Sequence, residues 1–362
     1  SGTTSICAGT TTTLSAATGS GYTYLWSTGA TSPTITVGAG TYHVDVTANG
    51  CTTRSATTTV TEKPLPTATI GGNTSICAGT TTTLTAASGT GYTYLWSTGA
   101  TSPSITVGGG NYYVDVTVNG CTARSATTVV TEKPFPSATI TGATSICAGT
   151  TTTLSAPTGA GYTYVWSTGS TASSITAGAG SYYVDITLNG CTTRSATTTV
   201  TEKQLPAAAI SGTTTVCPGG TTTLSASTGA GYTYLWSTGA TTPTISAGTG
   251  SYHVDVTLNG CTVRSATTTV TQLAGTAITK QPTPSSQQTS RNVTVSIDID
   301  ATGTGLSYQW YRGAAGTTTT PVGTNNQTLQ VSHPSKGTYT YWVRVTGTCG
   351  VVNSSAATVV VR

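Results

Sequence analysis

The sequence predicts an all-β chain, a tandem array of small β-sandwich domains, and three observations predict it. A seventy-residue unit recurs four times, marked by Cys7, Cys77, Cys147 and Cys217 in one phase and by Cys51, Cys121, Cys191 and Cys261 in another. A fixed internal period means that each unit is one module and the chain an array of modules. Within a unit the residues fall in short β-branched and aromatic runs broken by glycine, with no helical apolar spacing. Charged residues make up only 6% of the chain, against about 25% in an ordinary soluble domain. The sheet faces therefore carry hydroxyls instead of charges, and the low net charge is not that of a disordered chain.

The elements of the first unit follow in order: TTTTLSA (10–16), YTYLWST (22–28), SPTITV (32–37), TYHVDVTA (41–48) and CTTRSATTTVTE (51–62). Several strands in so small a unit imply a sandwich. Tyr22, Tyr24 and Trp26 share one parity, as do Tyr42, Val44 and Val46, so both sets should point inward. Trp26, Trp96, Trp166 and Trp236 recur at that parity and are expected in the cores; a sugar-stacking platform is the competing use of the aromatics. Tyr42, just after Gly40, stands where an immunoglobulin-like fold places its tyrosine corner. The expected fold class is thus all-β, a tandem array of immunoglobulin-like β-sandwich domains. Its boundaries fall at 1–66, 67–136, 137–206 and 207–273, with a divergent immunoglobulin-like domain at 274–362.

Asn49-Gly50 between two β runs is a two-residue hairpin signal, because both central positions need positive φ. Counting outward from it sets Asp45 opposite Arg54, and the pair recurs as Asp115/Arg124, Asp185/Arg194 and Asp255/Arg264. These are expected as cross-strand ion pairs that fix register, not as catalytic carboxylates or an arginine clamp.

Eight of the nine cysteines occur as one pair per unit, forty-four residues apart. The regularity predicts one disulfide per domain, Cys7–Cys51, Cys77–Cys121, Cys147–Cys191 and Cys217–Cys261, and an oxidising compartment outside the cytoplasm. Each bond would tie the strand entering a domain to the strand leaving it. Zinc is disfavoured, since a unit offers two sulfurs without CxxC spacing, and His43 and His253 are replaced by Tyr113 and Tyr183 in the other copies. One Asp and at most one Glu per unit do not supply a calcium shell, so no cofactor or metal is expected. No apolar run is long enough to cross a bilayer. With no methionine anywhere, the chain reads as a processed or internal piece of a secreted precursor.

The linkers TEKPLPTATI (61–70), TEKPFPSATI (131–140) and TEKQLPAAAI (201–210) are short, proline-bearing and semi-rigid. Their last four residues are edge-strand candidates. The first unit begins at Ser1 without one, which reads first as a truncated chain; the sharper alternative is that a neighbouring subunit lends the strand, with AATVVVR (356–362) as donor. After Val270 the linker lengthens, which marks a hinge or functional boundary. The last segment repeats the sandwich pattern in 292–301, 306–313, 327–332, 337–345 and 353–362, with Trp310 central and Tyr339 at a second corner-like site. It also holds the surplus of the +4 net charge, in Lys280, Arg291, Arg312, Lys336, Arg344 and Arg362 against Asp298 and Asp300. That basic end is a candidate contact for an anionic glycan or a neighbouring subunit.

The stretches SICAGTTTTLSA, YTYLWSTG, GTYHVDVTANGCTTRSATTTV and the terminal LSYQWYRG and GTYTYWVRVTGTCG resemble the Ig-like and PKD-like repeats of very large secreted surface proteins of Bacteroidota, including gliding and adhesion proteins exported by the type IX pathway. The resemblance covers essentially the whole chain and implies display and adhesion at the cell surface. In similar terminal domains a cysteine before the second strand pairs with the one in TGTCG. Here that place holds QQTSRN, with Ser290 near the expected position, so Cys349 is expected as a free thiol or a bond to another chain.

These readings converge on a non-catalytic extracellular structural protein, a fibre subunit or adhesin stalk that forms a homo-oligomer by strand or end-to-end contacts. The alternative is a carbohydrate-binding or spacer region of a larger secreted adhesin or hydrolase, with surface glycans held on Tyr113 and Tyr183. The sequence has no glycine-rich phosphate loop followed by lysine, no Ser/His/Asp set within a unit and no carboxylate pair suited to glycoside hydrolysis. The units are neutral overall, which argues against nucleic acid as a partner.

Overall fold

The computed structural model describes residues 1–362 and is built of strands. The chain divides into two compact units. One comprises Ser1–Gly142, Thr153–Thr176 and Ser181–Thr199, and the other Ala143–Thr152, Ala177–Gly180 and Val200–Arg362, so the third repeat contributes to both. The fold is all-β, a tandem array of immunoglobulin-like sandwiches.

In the first unit, repeat one runs β1 (Ser5–Cys7), β2 (Thr12–Ser15), β3 (Thr23–Trp26), β4 (Thr34–Val37), β5 (Gly40–Tyr42), β6 (Val44–Ala48), β7 (Cys51–Arg54) and β8 (Thr58–Lys63). On one side of the sandwich β3 pairs with β6 and β6 with β7, and a separate ladder pairs β5 with β8 and β8 with β1, the chain running on from β5 into β6. β1 lies parallel to β8, with Cys7 opposite Lys63. The second sheet pairs β2 with β4. In repeat two the equivalent sheet gains a strand from the linker: β9 (Ile70–Gly72) runs antiparallel to Thr82–Ala86, which pairs on its other side with Ser104–Val107. The linker strand begins at Ile70, at the end of the expected TATI segment. Alternation does the sorting in β4, where Ile35 and Val37 are buried and Thr34 and Thr36 are exposed.

The core of repeat two gathers Ile76, Leu84, Trp96, Ile105, Val107, Val114, Val116 and Val130 between the two sheets. Trp96 is buried, and its indole N–H donates to the Ser102 carbonyl at 2.9 Å, which satisfies the one polar atom it takes inside. The corner tyrosines reach back four residues, Tyr42 to Gly38 at 3.2 Å and Tyr112 to Gly108 at 3.2 Å. A Cβ at Gly40 would lie 2.6 Å from the Tyr42 hydroxyl, so a larger residue there would displace the corner ring. Asn49 and Gly50 take φ of 52° and 85°, the two positive values the tight turn demands, and Asp45 pairs across the ladder with Arg54.

The second unit repeats the scheme in repeat four. Ile210–Ser211, Thr222–Ala226 and Thr244–Ala247 form one sheet, and Thr215–Val216 lies parallel to Thr268–Gln272 in the other. The last domain has Ala277–Thr283, Val295–Thr302 and Thr328–Val331 in one sheet. In its other sheet Ala357–Val361 lies between Ser286–Thr289 and the long strand Gly337–Gly347. The expected donor AATVVVR is therefore paired on both sides within its own domain and is not a strand to lend. Trp310, Tyr341 and Trp342 are fully buried there, and Tyr339 donates to the Ser335 carbonyl at 3.0 Å as a second corner.

One recurring residue escaped the sequence reading. Where the strand formed by β7 and β8 breaks, a serine hydroxyl stands in for the ladder: Ser125 accepts the Val114 N–H at 3.1 Å and donates to the Ala126 carbonyl at 2.9 Å. The same bridge recurs at Ser55, Ser195 and Ser265, and at Ser354 with Val343 in the last domain. Ser125 is buried, so its loss strands a backbone N–H away from water. Ser125→Ala is expected to destabilise repeat two by about 1–3 kcal/mol. Faster amide exchange confined to the strands of that repeat is the measurement that checks it.

Candidate functional site: the junction between consecutive repeats

Each repeat has two distinct poles, set by strand direction. β1 and β8 run parallel and both end at the pole where the linker departs, which puts Cys7 beside Lys63. β5 runs antiparallel to β8 and continues as β6, so the Asn49-Gly50 turn and Cys51 lie at the opposite pole. A strand run of nine residues separates the poles by roughly 30 Å. A disulfide needs its Cα atoms within about 7 Å. The expected bonds Cys7–Cys51, Cys77–Cys121, Cys147–Cys191 and Cys217–Cys261 therefore do not form.

The cysteines instead join consecutive domains. Cys7 bonds Cys121 and Cys77 bonds Cys191 in the first unit; Cys147 bonds Cys261 and Cys217 bonds Cys349 in the second. Their Cα separations of 5.3–5.6 Å are those of ordinary disulfides. Cys349, expected to lack a partner in the chain, is the last acceptor of this ladder. Cys51 is the free cysteine, and it is exposed.

Two further contacts complete the three junctions between repeats. The Lys63 ammonium donates to the Asn119 carbonyl at 3.1 Å, beside the hairpin turn that bears Cys121, and Lys133 and Lys203 do the same with Asn189 and Asn259. The linker also fills the flank of the domain it leads into. Pro66 is buried, Ala68 and Ile70 pack on the core of repeat two, and the Thr67 N–H donates to the Tyr92 hydroxyl at 3.4 Å. In repeat four Pro206, Ala208 and Ile210 take those places, and the Ala207 N–H donates to Tyr232 at 3.1 Å. The prolines thus hold a strand-like segment that the next core needs.

No protein family matches the chain, and no curated protein does. Solved structures similar to it include tandem immunoglobulin arrays. Sidekick-1 immunoglobulin domains 1–5 align over 98% of this chain and 96% of that one at 14% identity and a TM-score of 0.27. The N-terminal eight immunoglobulin domains of Down Syndrome Cell Adhesion Molecule align over 94% and 56% at 12% identity and 0.34. Three N-terminal domains of the outer capsid protein Hoc of bacteriophage RB49 align over 82% and 98% at 14% identity and 0.26.

The Asp–Arg pairs face outward on the hairpin. Arg54 binds Asp45 through both Nε at 2.7 Å and a terminal nitrogen at 2.8 Å, and Arg124, Arg194 and Arg264 repeat the fork on Asp115, Asp185 and Asp255. The hydrogen bonds from arginine hold all four carboxyls below the usual carboxylate range, and the attraction of the guanidinium adds to them. Arg124 also lies 4.2 Å over the Tyr113 ring and Arg194 4.1 Å over Tyr183. One face of each tyrosine proposed for sugar stacking is thus already covered by a guanidinium.

Two outcomes follow. Peptide mapping without reductant is expected to recover the linked pairs 7–121, 77–191, 147–261 and 217–349, with Cys51 alone taking an alkylating label before unfolding. A folded-state carboxyl pKa below its unfolded value gives stability that is present above about pH 4 and lost as pH falls through the folded value. Thermal melts should therefore fall as pH drops below about 4. A chain carrying Asp115→Asn and Asp185→Asn should lose less on acidification than the parent.

Proposed function

We propose that this chain is a non-catalytic extracellular structural protein, a fibre or adhesin stalk that transmits tension along its length. The observation that carries the reading is the order of the disulfides. Because each bond skips from one domain to the next, one of two equally short covalent routes from Ser1 to Arg362 uses residues 1–7, crosses to 121–147, crosses again to 261, returns to 217 and leaves through 349–362; the other returns from 121 to 77, crosses to 191 and continues to 217. About three quarters of the backbone lies off either route. Pulling on the ends can unfold a domain without releasing much length.

Bonds within each repeat would stop a domain from opening but leave every linker as a single covalent strand. Bonds across each junction put the linker in parallel with a disulfide. The low charge suits the same role, since a hydroxyl-covered surface changes little with salt. Stable disulfides of this number belong to an oxidising compartment, which supports a place outside the cytoplasm.

Single-molecule stretching between the termini tests the reading. At about 3.4 Å per residue the reduced chain should extend to on the order of 1,200 Å, and the oxidised chain to only roughly 330 Å. Equal extension of the two forms would remove the covalent shortcut and the reading with it.

A further inference from the structure

The first repeat carries the acceptor half of a junction with nothing in it. At the flank that the linker fills in repeats two and four, repeat one has an open groove of about 620 Å³ lined by Leu14, Tyr22, Trp26, Val46, Cys51 and Ser55. The residues around it are uncovered together. Val46 is half-buried where Val116 and Val256 are wholly buried, Cys51 is exposed where Cys121 and Cys261 are buried, and Ser55 is exposed where Ser125 and Ser265 are buried. Tyr22, at 39% exposure, is the equivalent of Tyr92 and Tyr232, whose hydroxyls take a linker N–H in the filled copies.

The register for an incoming strand is already set. Ser1 exchanges both backbone hydrogen bonds with Ser15 at 2.8 Å, the pairing that Gly71 makes with Thr85. A strand running into Ser1 therefore lays its last residue where Ile70 lies in repeat two. The Asn49 carbonyl stands at the turn where Asn119 receives Lys63. Groove, turn carbonyl and thiol are the three partners used at the junctions between repeats, with Lys63, Lys133 and Lys203 on the turn carbonyls.

We propose that the first repeat is a docking site for a further repeat of the same type, supplied ahead of Ser1. Its proline-bearing linker strand fills the groove and its first-strand cysteine bonds Cys51. A second copy of this chain is not the occupant, because its donor cysteines Cys7, Cys77, Cys147 and Cys217 are all bonded. The last domain offers no other donor, since Cys349 is bonded as well. The covalent step joins two thiols: Cys51 and the donor cysteine each give up a proton and an electron to a disulfide oxidant such as oxidised glutathione, which leaves as two thiols. The inference concerns how the array is extended and stands whether or not the array carries tension.

The test has two arms on the full chain. A synthetic peptide with the sequence of residues 63–70 should bind one to one and slow alkylation of Cys51 at least tenfold. The same peptide with aspartate in place of its alanine and isoleucine should do neither, and Cys51→Ser should leave peptide binding intact. In the second arm a copy of residues 1–70 is fused ahead of Ser1 and the chain is oxidised with glutathione disulfide. Labelling should leave the original Cys51, now linked to the added first-strand cysteine, and move to the hairpin cysteine of the added copy. Absence of peptide binding, or full labelling of the original Cys51 in the extended chain, overturns the proposal. So does a dimer of the unextended chain that buries the groove, which would assign the surface to a second copy.

Discussion

Strand direction at the two ends of a repeat is the constraint on which the rest depends. The first strand lies parallel to the last, so it finishes where the linker leaves, while the Asn-Gly hairpin projects from the other pole. A cysteine on each of these elements faces outward to a different neighbour. The same geometry brings Lys63 to the next hairpin and aims the linker at the next core. A junction of this kind is a consequence of the domain topology and needs no specialised interface residues beyond those three.

That economy explains how so uncharged a chain holds fixed structure. Each repeat buries one tryptophan, a handful of valines and isoleucines and one leucine, a core close to the minimum for independent stability. The linker supplements it with Pro66, Ala68 and Ile70, apolar surface donated from outside the repeat's own strands. Backbone groups at the strand breaks are closed by serine hydroxyls, and the tryptophan N–H by a carbonyl. Threonines on the outer faces pair across the ladder, as Thr47 with Thr52 at 2.7 Å, where other sheets place ion pairs.

Much of one repeat was legible because its signals are local. Asn49-Gly50 dictates a turn by φ alone, the turn dictates that Asp45 meets Arg54, and the parity of Trp26 and Val44 marks the inward face. The cysteine pairing was not legible in the same way. A spacing of forty-four residues within a repeat and one of 114 across a junction are equally periodic, so regularity does not choose between them. The pole of each cysteine does, and it requires knowing that Ser5–Cys7 is a strand parallel to Thr58–Lys63, a long-range pairing with no local sequence signal. The odd cysteine held the remaining clue: shifting the ladder by one domain gives Cys349 a partner and leaves Cys51 over. The bridging serines were missed because a serine in a threonine-rich strand carries no distinguishing pattern.

Energetics alone do not account for pairing across junctions. In the chain-entropy view, closing a loop with a separation of 114 residues instead of forty-four stabilises the folded state by only about 0.8 kcal/mol more. The loops also overlap, since Cys77–Cys191 opens inside the span closed by Cys7–Cys121, so even that difference is not fully realised. What changes sharply is connectivity. A disulfide inside a repeat closes a loop on one side of a linker, and each linker then remains the single covalent path between neighbours. A disulfide across the junction makes two paths of one, and the overlap of successive loops extends this from the first repeat to the last domain. The pairing therefore changes the number of covalent paths between neighbouring domains far more than it changes folding stability.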